Sequence, residues 1–485
     1  MSLVRKGIAV GLAVVAVLSS TSAGQADQQG SANRITWKNC TDAEFQRMQC
    51  GTMQVPIDWA NPRAGQLSLA MVKRPADERR QGTFMLNVGP GASTIEQLRL
   101  AMSIDFPSFA GDLTKKFDIV ALDPRGIGHS TPIRCTQPVK PAGISYFPRD
   151  RAAFDALVAH NRSLGQDCLR RNGSLVTKVD MTSTARDFEA ARIGLGAKQL
   201  DWYGTRYSAL LGRTYAALFP NRLRTMVVDT AVDDTGSQIS RIVQEMDAAE
   251  ESFNRFAAWC ASSADCALRG RDVAAEYDAL IARADRTPIA VGGDGARSLT
   301  GEDIRLATQD YLNLSSVTWP ELGEAIVKAQ AGDAAYFTRT PDGTQLDPVQ
   351  ALAPACLDTP RSTTTYEEFA GLQRLVAQKS PHLGGAVRSW KAFAGCLGWP
   401  VPANPVDAGG PVAGGPKTLV TQSTHQALAP YAAGFAFAAQ LPGSVVLTRD
   451  GDDYSMFLAS QCVRDATNRY LTERVLPAPG TVCTD

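Results

Sequence analysis

Net charge is the first thing missing. The 485 residues carry 49 lysines and arginines against 49 aspartates and glutamates. A balanced surface gives no reason to expect a nucleic-acid partner or an anionic membrane. Histidine is scarce as well: His129, His160, His382 and His425 are the only four, and they lie far apart. With no Cys-x-x-Cys pair and no histidine cluster, the chain offers no ligand set for zinc. Neither a metal nor another cofactor is expected. Past the N-terminus, no apolar run approaches the ~20 residues that span a bilayer. Internal repeats and extended low-complexity tracts are missing too, which sets aside repeat arrays and disordered scaffolds.

What is present suits a large exported protein. At 44% hydrophobic residues the chain can bury a sizeable core, and its length exceeds one simple domain. Met1 to Lys6 is short and basic, Gly7 to Ser20 is an apolar run, and Thr21-Ser22-Ala23 or Gly24-Gln25-Ala26 offers a small-residue cleavage site. This is the pattern of a secretory signal peptide over residues 1–26. The mature protein is expected to be secreted, soluble and monomeric. Ten cysteines agree with export, because an even set persists as disulfides in an oxidising compartment. Their order suggests sequential pairing: Cys40 with Cys50, Cys135 with Cys168, Cys260 with Cys266, Cys356 with Cys396, and Cys462 with Cys483. The count alone leaves the connectivity open.

Apolar, β-rich runs occur at Leu67 to Val72, Thr83 to Val88, Phe117 to Leu122, Gln199 to Tyr203, Thr225 to Asp229, Thr418 to Thr421 and Ser444 to Thr448. Helical patterns such as Ser183 to Leu195 and Tyr207 to Leu218 separate several of them. That alternation predicts an α/β protein, a mostly parallel sheet with helices on both faces. After Asp233 the pattern turns predominantly helical, at Ser240 to Ala258, Asp272 to Ala284, Thr300 to Leu312 and Tyr366 to Gln378. A Gly/Pro-rich linker from Pro402 to Pro416 then leads back to strands. The expected divisions are 27–232 for the first part of the core, 233–400 for a helical insertion and 401–485 for the second part.

Residues 201–220 carry the chemistry, or its absence. They read as strand, sharp turn and helix, with Gly204-Thr205-Arg206-Tyr207-Ser208 at the bend. In a nucleophile elbow, G-x-S-x-G, the central residue sits on a strained turn and the glycines keep backbone clear of it. Here Arg206 stands where the serine belongs and Ser208 replaces the second glycine. A guanidinium stays protonated and offers only donors, so it cannot attack a carbonyl.

Further segments carry a family resemblance. Asn87-Val88-Gly89-Pro90-Gly91-Ala92-Ser93 is similar to the Gly-Pro-Gly oxyanion loop of the secreted actinobacterial tripeptidyl aminopeptidase family. Asp123-Pro124-Arg125-Gly126 resembles that family's turn after the next core strand, and Thr418 to Cys483 resembles its closing region. The resemblance implies an α/β-hydrolase fold with the helical insertion as its lid. It also places the family's acid at Gln426, within Ser423-Thr424-His425-Gln426-Ala427, and its histidine at Tyr454, within Asp450-Gly451-Asp452-Asp453-Tyr454-Ser455. On that correspondence all three triad positions are substituted, which is unsuited to ordinary Ser-His-Asp hydrolysis.

An arginine at a helix N-terminus, beside leftover oxyanion donors, calls for an anion. Either Asp452 or Asp453 pairs with Arg206 and plugs the old site, or a ligand anion sits there with Gly91 and Ala92. Candidate catalytic residues are therefore Arg206, Tyr454, Asp453 and Gln426. Candidate binding residues are Gly91, Ala92, Tyr207 and His425. Ser93 and Ser208 are read as caps or packing, and Trp319, Trp390 and Trp399 as anchors of the insertion. Three functions follow: non-covalent catalysis of cyclase, lyase or isomerase type on a small metabolite; a pseudoenzyme binding a small molecule or short peptide; or hydrolysis through Ser208 or a water activated by Asp452, Asp453 or His425.

Overall fold

The computed structural model describes residues 34–87, 91–103, 111–233, 236–292, 297–313, 315–340, 347–359, 365–406, 411–454 and 456–485. The expected signal peptide, Val88 to Pro90 of the oxyanion loop, and Ser455 lie outside the described residues. The described residues form twelve strands: β1 (Thr36–Asn39), β2 (Gln49–Pro56), β3 (Gln66–Arg74), β4 (Gly82–Asn87), β5 (Phe117–Leu122), β6 (Leu200–Thr205), β7 (Leu223–Asp229), β8 (Ile289–Ala290), β9 (Ser298–Leu299), β10 (Thr418–Ser423), β11 (Val445–Arg449) and β12 (Val482–Cys483).

All but β8 and β9 form one sheet, in the order β1-β2-β3-β5-β4-β6-β7-β10-β11-β12. The first three strands pair antiparallel, and β5 through β12 run parallel. Every residue of β6 and β10 is buried, as expected of parallel strands covered on both faces. One face is packed by α1 (Thr94–Ser103) and α2 (Asp112–Lys116); the other meets α3 (Arg151–Asn172), α4 (Met181–Gly194) and α5 (Tyr207–Leu218).

Between β7 and β10 the described elements are helical apart from the β8–β9 pair. They are α6 (Gln238–Ser262), α7 (Val273–Arg286), α8 (Gly301–Tyr311), α9 (Ser315–Gln330), α10 (Pro348–Asp358), α11 (Tyr366–Lys379) and α12 (Arg388–Gly395). Apart from α10, whose Val349, Leu352, Ala353, Cys356 and Leu357 join the sheet's core, their apolar faces share a core of their own that includes Phe253, Tyr277, Trp319 and Trp390. α13 (Tyr431–Ala439), α14 (Met456–Ala459) and α15 (Gln461–Glu473) complete the sheet's cover.

The long helix α3 joins the two cores, although the sequence reading did not single it out. Its buried positions, Phe154, Leu157, Asn161, Leu164 and Cys168, follow helical spacing. Asn161 interrupts the apolar stripe, and its amide donates to the carbonyls of Ala394 and Leu397 at 2.9 Å each. All ten cysteines are paired, in the sequential order that the spacing suggests.

Candidate active site

The site is built where β6 meets α5. At the apex Arg206 has φ 53° and ψ −116°, a backbone conformation that costs a side-chain-bearing residue about 1–3 kcal/mol. The turn is held by the Arg206 amide donating to Thr230 O at 2.9 Å and the Ala209 amide donating to Arg206 O at 2.9 Å. Gly204 is required: a Cβ there would lie 2.8 Å from Ser208 O. The bend therefore has the elbow's geometry with an arginine at its tip.

The half-buried Arg206 side chain lies over Tyr454, its guanidinium carbon 4.7 Å from the ring centroid. A cation over a tyrosine face is attracted by the ring quadrupole, by about 0.5–2 kcal/mol depending on desolvation. These two positions, 248 residues apart in the numbering, are thus brought together.

Of the two alternatives for Arg206, a pairing with Asp452 or Asp453 is not seen among the described residues, and other partners occupy both carboxylates. Asp452 pairs with Arg255 of α6, Nη2 donating to Oδ2 at 2.9 Å. Asp453 is buried and accepts from the backbone amide and hydroxyl of Ser315, at 2.6 and 2.9 Å, capping the start of α9. Its second oxygen lies 3.4 Å from Arg449 Nη1. The Tyr454 amide donates to Asn313 O at 2.9 Å, and Ser423 Oγ donates to Asp453 O at 2.6 Å. The loop that carries Tyr454 is therefore fastened between the sheet and the insertion.

The other candidates spread around this pair. His425 Nδ1 lies 2.7 Å from Glu251 Oε1, one helical turn before Arg255 on α6, so the helix grips both loops. Gln426 is 2% exposed, and among the described residues neither its Oε1 nor its Nε2 has a hydrogen-bond partner. A buried carboxamide left unsatisfied costs about 1–3 kcal/mol. Tyr207, beside the apex, is 40% exposed. Gly91 has φ 88°, and a Cβ there would lie 2.6 Å from Ala351 Cα of α10, so that helix packs closely against Gly91. Ala92 is buried behind it.

The remaining polar residues are structural. Ser93 Oγ donates to Asp123 and receives the Glu96 amide at 3.1 Å, capping α1. Burial pushes the Asp123 carboxyl upward, against bonds from the His129 and Ile95 amides and the Ser93 hydroxyl. Ser208 Oγ donates to Asn87 Oδ1 at 2.5 Å inside α5 and is buried, so it is not aimed as a nucleophile. His129 Nε2 lies 2.8 Å from Glu96, away from the elbow. Trp319, Trp390 and Trp399 are buried.

Sequence reasoning missed Asp229, at the end of β7. This buried carboxylate accepts from Tyr203 Oη at 2.6 Å and from the Met456 and Phe457 amides at 3.0 and 3.1 Å, tying the sheet to the segment after Tyr454. The only signal was its place at a strand's C-terminal end, one residue before Thr230. The cavities among the described residues include two of different size. One, of about 20 Å³, has room for a single water and is lined by Arg125, Met181, Leu211 and Asp358 among others. Neither is lined by Arg206, Gln426 or Tyr454.

Comparison with known proteins supplies a frame. Residues 100–288 match the model of the alpha/beta hydrolase fold, and residues 381–483 match that of TAP-like protein. Carboxylesterase B of Mycobacterium tuberculosis is 32% identical over 491 residues, covering 93% of this chain and 90% of that protein. Serine protease Hip1 of the same organism is 27% identical over 459 residues, covering 90% and 87%. Tripeptidyl aminopeptidase of Streptomyces coelicolor is 28% identical over 484 residues, covering 93% and 86%.

Proposed function

Because this chain belongs to the tripeptidyl aminopeptidase-like family of α/β hydrolases, and an arginine occupies the apex of its elbow, we propose that it is a non-hydrolytic member. On this reading its former active site takes a small metabolite and acts on it without an acyl-enzyme, by cyclase, lyase or isomerase-type chemistry. The observation that carries the reading is Arg206 itself, held at φ 53° and ψ −116° over the Tyr454 ring. Strain of that kind persists where the surroundings impose it, and it gathers at functional sites. A fixed guanidinium at a helix N-terminus suits a carboxylate, phosphate or enolate, whose charge it stabilises through short hydrogen bonds. The Tyr454 phenol supplies a donor beside it, and the unsatisfied amide of Gln426 supplies both a donor and an acceptor.

Hydrolysis by substitute residues has little support. Ser208 is bound to Asn87, His425 to Glu251, Asp452 to Arg255 and Asp453 to Ser315. Binding without turnover is the second reading, favoured by the close approach of Ala351 to Gly91. Export belongs to the same proposal: five disulfides suit an oxidising compartment, and residues 1–26 are read as the signal that delivers the chain there.

The test is Arg206→Ala in the full mature chain, screened by thermal shift and calorimetry against small carboxylates, phosphates and short peptides. The expected outcome is a ligand whose affinity falls by about one to two decades in the variant, the share of one charge-assisted hydrogen bond, with the fold intact. A ligand or turnover indifferent to Arg206→Ala contradicts the proposal.

A further inference from the structure

At the other end of β6 from the elbow lies a cleft of about 280 Å³. It forms where the chain enters three neighbouring strands: Gln199, Asn221 and Lys417 stand just ahead of β6, β7 and β10, and Arg224, Tyr470 and Arg474 complete the lining. Six residues of β6 separate it from Arg206, about 20 Å of strand.

Three cations line this cleft and no carboxylate does. Part of this has a plain cause, since Arg474 follows the C-terminus of α15, where exposed carbonyls favour a positive charge. That cause does not extend to Arg224. Its side chain is 12% exposed, Nη2 lies 2.6 Å from Asp201 Oδ1 and donates to Leu471 O at 2.7 Å, and the guanidinium stacks 5.1 Å from the Phe117 ring centroid. Asp201 is fully buried and also accepts from Thr225 Oγ1 at 2.6 Å. Glu473, the carboxylate next to Arg474, pairs with Arg469. Lys417 and Arg474 are exposed and make no ion pair among the described residues. One buried negative charge behind three positive ones leaves a surplus of positive charge around the open volume, which an anion would relieve.

We propose that this cleft binds a small anion, a molecule carrying a phosphate or a carboxylate, at a site separate from the elbow. Lys417 offers a compact ammonium and Arg474 a planar fork that matches either group, while Arg224, held by Asp201 and Leu471, adds positive charge to the wall. Tyr470 and Leu476 add apolar lining. The volume suits a compact anion and is small for a peptide.

Calorimetric titration of the mature full chain with inorganic phosphate and, separately, with malonate at constant ionic strength tests the proposal. Saturable binding of at least one probe is expected; tighter phosphate identifies a phosphoryl ligand, tighter malonate a carboxylate. Lys417→Gln combined with Arg474→Asn should weaken binding about 10- to 100-fold, whereas neutralising an exposed arginine away from both sites, Arg269→Gln, should leave it unchanged. Asparagine tolerates the φ of 60° at position 474, so the double variant should melt with the parent. Absence of saturable binding, binding retained by the double variant, or an equal loss in Arg269→Gln overturns the proposal.

Discussion

Two arginines follow core strands at the same end of the sheet, and they are built in opposite ways. Arg125, after β5, is 1% exposed and spends its whole guanidinium on bonds: Nε and Nη2 to Asp187, Nη1 to the carbonyls of Ile57 and Lys178, and Nη2 also to that of Pro56. Trp59 Nε1 donates to Asp187 at 3.1 Å, so the pair is closed on all sides. Arg206, after β6, is half-buried on a strained turn, its guanidinium carbon lying over a tyrosine ring. The first fastens the outer strands to α4. The second holds a cation at the carboxyl ends of parallel strands, where open α/β sheets receive ligands. Burial and charge alone do not separate the two; backbone strain and the aromatic contact mark Arg206, and a carboxylate with three carbonyls holds Arg125.

That contrast can be broken by mutation, and the largest effect belongs to the closed pair. Arg125→Ala should cost about 3–5 kcal/mol of stability, because it leaves Asp187 buried without its counter-charge. Chemical denaturation measures it; a loss below about 1 kcal/mol would end the distinction. At the elbow the sign should reverse. Gln426→Leu removes two unsatisfied polar atoms at similar volume and should raise stability by about 1–3 kcal/mol. If that variant also loses the ligand that Arg206 binds, the carboxamide was kept for function at the expense of stability.

A smaller effect should mark the seam between insertion and core. Asp358, at the end of α10, has its pKa raised well above the usual carboxylate value by burial, with the Met181 amide opposing and Asp180 adding to the rise. A folded pKa above the unfolded one means that this contribution to stability is complete below the ordinary carboxylate pKa and is lost as pH rises through the raised value. Melting temperature should therefore decline with pH across that window in the parent, and the decline should be shallower in Asp358→Asn. Equal slopes in the two proteins would show that Asp358 titrates normally.

Much of the sheet was legible because its central strands are uninterrupted apolar runs: β5 at Phe117–Leu122 and α5 at Tyr207–Leu218 fall where periodicity and the proline after α5 put them. β1, β2 and β12 were not, since the edge strands are short or carry cysteine, glycine and proline that read as loop. Within the site, the turn residues of the elbow and of the Tyr454 loop led to Arg206 and Tyr454, which touch. The destinations of Asp452 and Asp453 were hidden, because their partners Arg255 and Ser315 lie 197 and 138 residues away and reach the loops only once the insertion has docked. Local pattern places a residue on an element; it does not say which distant donor arrives first.

The central claim is that the elbow presents a bound cation in place of a nucleophile. Intact-mass measurement of the mature chain after incubation with a serine-directed fluorophosphonate tests it most directly, with serine protease Hip1 of Mycobacterium tuberculosis as the comparison. The account predicts that this chain keeps its unmodified mass under conditions that label the comparison protein. A stoichiometric adduct mapped to any serine near Arg206 would contradict it.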